Sequence, residues 1–295
     1  MKKLKLDLSK SINRLKIITQ RLVTSNLVGG YLSVFRGRGL EFQDFRKYDQ
    51  GDDATLIDWK ASLKSNQLLI KEFVEERNLN VFFLIDVSNS MVFSTTDKLK
   101  IEYAAELIAT LSNAITSAGD SIGYAFFNDK VTKHVPPSQG MKRHFQLIKA
   151  LVDPRDYGGK YDLTEALRFT LSYLKQFSVV IVVSDFIGLK NHWKNELKVV
   201  GKKFDLIGVM IRDPVEEDLP DYNGRVTLGD VFSNKQIVVD TYAIKDQYKK
   251  QSELFEKEVH KAFNDSGSDF IKLNTEESFI KPLTDLFFRR SKRHG

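Results

Sequence analysis

Three stretches of the chain are apolar at nearly every position rather than at every second one. They lie at 80–87, 179–185 and 204–211, and their centres read Val-Phe-Phe-Leu-Ile, Val-Val-Ile-Val-Val and Leu-Ile-Gly-Val-Met-Ile. A strand that is apolar on both faces has to be covered on both faces, which is the condition of a strand inside a mainly parallel sheet. Between and after these strands the apolar positions recur every three or four residues. The spacing predicts helices over 98–118, 141–152, 163–177, 193–203, 244–264 and 276–289. A strand at 121–127 has a hairpin partner at 130–135, and a further strand lies at 270–273. Apolar strands alternating with amphipathic helices predict an α/β, doubly wound, mainly parallel sheet with helices on both faces. In such sheets ligands bind beyond the carboxyl ends of the strands, where strand order reverses.

The opening block reads differently. An amphipathic pattern at 7–24 (Ile12, Leu15, Ile18, Leu22, Val23) is followed by Gly29-Gly30, Gly37-Arg38-Gly39, a turn-rich segment and a strand at 68–74. This is not a βαβ unit. Residues 1–78 therefore form an N-terminal accessory segment, expected to pack on a sheet domain at 79–295 because they hold too little apolar periodicity for a core of their own.

Several function classes lose ground on composition. Without cysteine there is no disulfide, thiolate zinc site or cysteine nucleophile, which fits a reducing, cytoplasmic setting. The apolar runs are strand-sized, far below the ~20 residues of a spanning helix. The basic N-terminus is broken by Asp7, Ser9, Ser11 and Asn13 and reads as no signal peptide. A net charge of +6 sits largely at Lys2, Lys3, Lys5, Arg289, Arg290, Lys292 and Arg293. Those ends read as solvated termini, and nucleic acid is not an expected partner.

The chemistry concentrates where the strand-end rule points. The strand at 80–87 runs into Asp86-Val87-Ser88-Asn89-Ser90-Met91, and the strand at 179–185 ends in Ser184-Asp185. Asp86, Ser88, Ser90 and Asp185 offer hard oxygen ligands only, the donor set of Mg²⁺, Mn²⁺ or Ca²⁺. The bland alternative is a turn in which Asp86 and Ser88 cap the next element.

Asp86-Val87-Ser88-Asn89-Ser90 resembles the metal-ion-dependent adhesion site of von Willebrand factor A domains, and Asp185 matches that family's third-loop aspartate by position. Upstream, Gly37-Arg38-Gly39-Leu40-Glu41-Phe42, Arg46-Lys47-Tyr48, Gly51-Asp52-Asp53, Ile57-Asp58-Trp59 and Leu69-Ile70-Lys71-Glu72-Phe73 resemble the pattern of domain of unknown function family 58. The resemblance implies a protein-interaction module that acts with a MoxR-type AAA ATPase and docks its partner through a bound Mg²⁺ or other divalent cation. One departure concerns the family's second-loop threonine. In Gly158-Gly159-Lys160-Tyr161-Asp162-Leu163-Thr164 that place falls on Lys160 or Tyr161, and neither is a usual dication ligand. If the Lys160 ammonium occupies the pocket, metal binding becomes weak or absent. Upstream, Arg46, Asp53 and Asp58 could form an ion-paired brace, and Trp59 reads as a packed anchor.

The rival reading is a metal-dependent hydrolase, phosphatase or nuclease. A phosphatase of the haloacid-dehalogenase type needs a second aspartate two residues after the first, where this chain has Ser88. A metal nuclease wants more clustered carboxylates than Asp86 and Asp185. The five histidines read as surface residues rather than catalysts. No catalytic residue is assigned.

Overall fold

A computed structural model describes residues 41–74, 78–175, 177–221, 224–233 and 235–294. The helix expected at 7–24 and the glycine motifs before residue 40 lie outside the described residues.

The first strands form a small antiparallel pair. β1 (Glu41–Lys47) runs against β2 (Leu69–Val74), with a register shift between Phe42 and Asp44. Between them, a 3-10 turn at Ala54–Leu56 and helix α1 (Trp59–Ser65) are each started by an aspartate. Asp53 accepts from Thr55 N and Asp58 from Ala61 N, the N-cap geometry that satisfies otherwise orphaned amides. The expected three-residue brace is thus differently wired. Arg46 grips Asp52 through two hydrogen bonds of 2.7 Å, while Asp53 and Asp58 serve as caps. Nor is Trp59 a packed anchor, since it is 64% exposed.

The remainder is built on a six-stranded sheet in the order β10-β7-β6-β3-β4-β5. Its members are β3 (Asn80–Asp86), β4 (Ser121–Phe127), β5 (Val131–Ser138), β6 (Ser178–Ser184), β7 (Asp205–Arg212) and β10 (Asp269–Asn274). All neighbours are parallel except β5, the hairpin partner of β4. A separate hairpin, β8 (Arg225–Gly229) with β9 (Gln236–Asp240), follows β7.

The uninterrupted apolar strands have the cause inferred from sequence. Val81, Phe83 and Ile85 of β3 join Val179, Ile181 and Val183 of β6 in one core. That core is covered by α2 (Lys100–Ser117), α3 (Met141–Leu151) and α8 (Ile280–His294). The alternate residues Phe82, Leu84, Val180 and Val182 enter a second core on the other face. There the cover is α4 (Leu163–Tyr173), α5 (Trp193–Lys203) and α7 (Thr241–Asp265). At Gly208 the Phe263 ring of α7 packs directly onto the sheet. A Cβ there would sit 2.6 Å from the Phe263 ring, so the apolar run of β7 needs its glycine.

Two expectations about polar residues fail because tertiary partners reach them. Arg290 is 2% exposed, not a solvated tail residue, and bridges Asp205 of β7 and Asp269 of β10. His144 of α3 is buried, with Nδ1 2.8 Å from Ser112 Oγ. Burial lowers its pKa to about 4, so it is neutral at ordinary pH.

Candidate functional site

The chain leaves β3 for β4 on one side and later returns to β6 on the other, so the reversal of strand order falls between β3 and β6. Their carboxyl ends carry Asp86 and Asp185. Ile85 pairs with Val183 in the register, which sets Asp86 level with Ser184 and Asp185 one residue beyond. The four residues singled out from sequence do come together here. Ser88 Oγ lies 3.1 Å from Ser90 Oγ, and Ser90 Oγ donates to Asp185 Oδ1 at 3.1 Å.

The cluster is closed. Asp86, Ser88 and Asp185 have no exposed surface and Ser90 has 1%. Every carboxylate oxygen of the pair accepts a hydrogen bond from within the chain. Asp86 Oδ1 takes Ser88 N (2.8 Å) and Asp86 Oδ2 takes Ser184 Oγ (2.7 Å). Asp185 Oδ1 takes Ile187 N (2.9 Å) as well as Ser90, and Asp185 Oδ2 takes Lys100 Nζ (2.6 Å).

Lys100 is the member that sequence reading missed. It opens α2, is fully buried, and its ammonium also donates to Glu216 Oε1 and lies 5.8 Å from the Phe93 ring centroid. Glu216 belongs to the one-turn helix α6 (Pro214–Glu217) that follows β7. A lysine in the first turn of a helix opposes the helix dipole, which favours anions there. That misplacement was a faint signal of a tertiary partner, and nothing in the sequence said which.

Electrostatics follow from burial. Burial, helped by the Asp185 charge, raises the Asp86 carboxyl to about 7 against the hydrogen bonds from Ser184 and Ser88. For Lys100, burial pulls downward, but the charges of Asp185 and Glu216 outweigh it and hold the ammonium above its ordinary value. Burial raises Glu216 in spite of Lys100.

The second loop settles which residue stands near the pair. Gly158 (φ +120°) and Gly159 (φ +98°) adopt the left-handed backbone that favours glycine. They are tied to the first loop: Gly158 N donates to Val87 O, Asn89 N to Gly159 O, and Gly159 N to Asn89 Oδ1. Lys160 is exposed, whereas Tyr161 turns inward, 2% exposed, its hydroxyl 3.2 Å from Ser184 Oγ. Burial, then the Asp86 charge, push that phenol well above its usual range. Asp162 caps α4 through Thr164 N and pairs with Lys190 at 2.6 Å. The turn of the β8–β9 hairpin closes over this edge. Asn89 Nδ2 donates to Val231 O, and the Phe232 ring lies against Gly188.

A dication in the place implied by the resemblance would need free oxygen lone pairs and an open coordination position. Here Asp86 accepts two internal hydrogen bonds and Asp185 three, both out of reach of solvent, a tyrosine stands near the threonine's place, and an ammonium already sits on Asp185. This arrangement does not fit a dication. Among the described residues, no group of three or more His, Asp or Glu is placed to hold a metal ion. What the cluster does physically is join the ends of β3, β6 and β7 and the loops at 86–93, 158–162 and 184–188 into one hydrogen-bonded unit.

Comparison with known proteins gives a consistent picture. The family model described as "Protein of unknown function DUF58" matches residues 44–258. An uncharacterized protein of Mycobacterium tuberculosis is 22% identical over 98% of this chain and 90% of its own length. The uncharacterized protein YeaD of Bacillus subtilis is 30% identical over 34% of this chain and 23% of its own. Among solved structures, the conserved hypothetical protein BatB from Bacteroides thetaiotaomicron is similar in fold. It has 16% identity and a TM-score of 0.50, and the match covers 73% of this chain and all of BatB.

Proposed function

We propose that this chain, which belongs to the DUF58 family, is a non-enzymatic protein-docking module whose binding face is the loop cluster at the carboxyl ends of β3 and β6. The observation that carries the reading is the closure of the strand-end cluster. Asp86, Ser88, Ser90 and Asp185 are fully or almost fully buried and hydrogen-bonded to one another or to neighbours. A nucleophile or general acid has to reach the atom it acts on, and groups sealed in this way cannot. They are well suited to hold loops rigid, which lowers the ordering cost that a binding surface otherwise meets. The hydrolase alternative needs reactive carboxylates on an open face, and this pair is not on one.

The contact residues are then the exposed members of those loops, Asn89, Gly159 and Lys160, with the four buried residues acting through them. As partner we propose a MoxR-type AAA ATPase, a reading supported by the family resemblance of the upstream motifs. Among the described residues no helix is long and apolar enough to cross a membrane. A cytoplasmic site of action is part of the proposal.

The test is a titration of purified chain against the MoxR-type ATPase of the same organism by calorimetry, with Lys160→Glu and Asn89→Ala alongside. Binding by the natural chain that weakens at least tenfold in Lys160→Glu supports both partner and face. Undiminished binding by both variants would remove the face from the proposal, and no binding by the natural chain would remove the partner.

A further inference from the structure

We propose that Lys100 is the resident cation of the strand-end site, its ammonium seated on Asp185 beside the place the resemblance gives a divalent metal, so that the loop cluster is assembled without metal. The assignment of the cation is independent of the docking proposal. Only its consequence for partner binding rests on that reading.

Three features of the geometry point to Lys100. Its Nζ reaches carboxylates from two separate strand ends, Asp185 after β6 and Glu216 after β7, the first pair fully and the second largely out of solvent. A monovalent ammonium with three donors can join two carboxylates and still face the Phe93 ring. The site next to it is closed. Ser88, Ser90 and Asp185 Oδ1 form a continuous chain of hydrogen bonds shut off from solvent. The Lys100 backbone is held as well. Lys100 N donates to Phe93 O, and the intervening loop is pinned to Asp213 by Ser94 Oγ at 3.0 Å and Thr95 N at 2.7 Å. The lysine is therefore built into the fold, with backbone and ammonium anchored at opposite ends of a buried side chain.

Lys160, the other candidate, is exposed and does not enter the pocket. The second loop supplies Tyr161 in its place, whose hydroxyl meets Ser184 rather than an ion.

Mn²⁺ and Mg²⁺ are the probes. For the natural chain the melting temperature is expected to be the same in chelator and in millimolar Mn²⁺ or Mg²⁺, with no binding heat in calorimetry. An ion at 100 times its Kd would instead raise Tm by roughly 4 °C in a chain of this size, and such a rise traced to this cluster overturns the proposal. Lys100→Met removes the charge but keeps most of the stem. It is expected to melt well below the natural chain and to regain part of the loss in Mn²⁺, because Asp185 and Glu216 are left facing each other. Unchanged stability in Lys100→Met refutes the assignment. Should that variant not fold, Lys100→Met with Asp185→Asn and Glu216→Gln removes the stranded charges together. Recovery of a cooperative transition supports the proposal, and no recovery overturns it. Partner binding that survives chelator extends the result to docking. Loss of binding in chelator, with stability unchanged, would count against the docking consequence alone.

Discussion

The chain solves the same problem, holding loops with charged side chains, in two places and under opposite conditions. In the unit at 41–74 the charges are in water or near it. Arg46 grips Asp52, while Asp53 and Asp58 cap a 3-10 turn and a short helix. At the strand ends the charges are sealed, with Lys100 between Asp185 and Glu216 and with Asp86 held by hydroxyl and amide donors. The Asp52 carboxyl is drawn down to about 2 by its hydrogen bond from Arg46, while Asp86 is pushed up to about 7 by burial. The difference teaches where a motif carries energy. Solvent screens the first set, so its members are interchangeable at small cost. The second set stands in a low-dielectric interior, where removing one partner strands the other.

The largest expected break is Lys100→Met. It should cost about 3–5 kcal/mol in urea unfolding, the usual range when one half of a buried pair is removed. A loss no larger than that of an exposed pair would erase the contrast between the two regions.

Next is Asp86→Asn, read against pH. Asp86 in the folded chain holds its proton up to about 7, above its ordinary 3.8. Between those values the native state binds more protons than the unfolded state, so this group makes stability fall as pH rises. His144 acts in the opposite sense. Its folded value of about 4, against an ordinary 6.5, makes stability rise over that window and be lost as pH falls through it. The two slopes oppose each other from about pH 4 to 6.5, and the natural chain should show a shallow profile there. Asp86→Asn should unmask the rising slope and be the more stable protein near pH 8, by up to about 4 kcal/mol at 1.36 kcal/mol per unit. Equal profiles for the two proteins would show that Asp86 titrates as an ordinary carboxylate.

On the exposed side, Asp58→Ala should cost about 1 kcal/mol through loss of the α1 N-cap. Hydrogen exchange of the α1 amides would register it even if the global transition did not move. The smallest effect belongs to Arg46→Ala, which should leave the melting temperature within experimental error at physiological salt. A marked loss would mean that the exposed brace carries tertiary contacts of its own.

Much of the sheet domain was legible because its signals are local. The apolar runs of β3, β6 and β7 could be satisfied only by two covered faces, and that is where Phe82 and Phe83 go, one to each core. The bulge between Phe42 and Asp44 hid β1, since it sets Phe42 and Phe45 out of a two-residue rhythm. Helix α1 has seven residues, too few to show a period. Tertiary pairing concealed Arg290 and His144, whose residue types usually mean surface. At the site, Asp86, Ser88, Ser90 and Asp185 were readable from their place after apolar strands. Lys100 was not, since its partners lie 85 and 116 positions along the chain.

By itself the sequence determined the α/β alternation, the placing of Asp86 and Asp185 at the ends of apolar strands, and the oxygen-rich character of those ends. These follow from hydropathy period and residue type, which act over a few positions. Only the tertiary structure decided whether the oxygens face a metal, a partner or the chain's own lysine. That choice depends on which distant side chain reaches the buried pair, and a buried charge takes the partner that folding brings within hydrogen-bond distance.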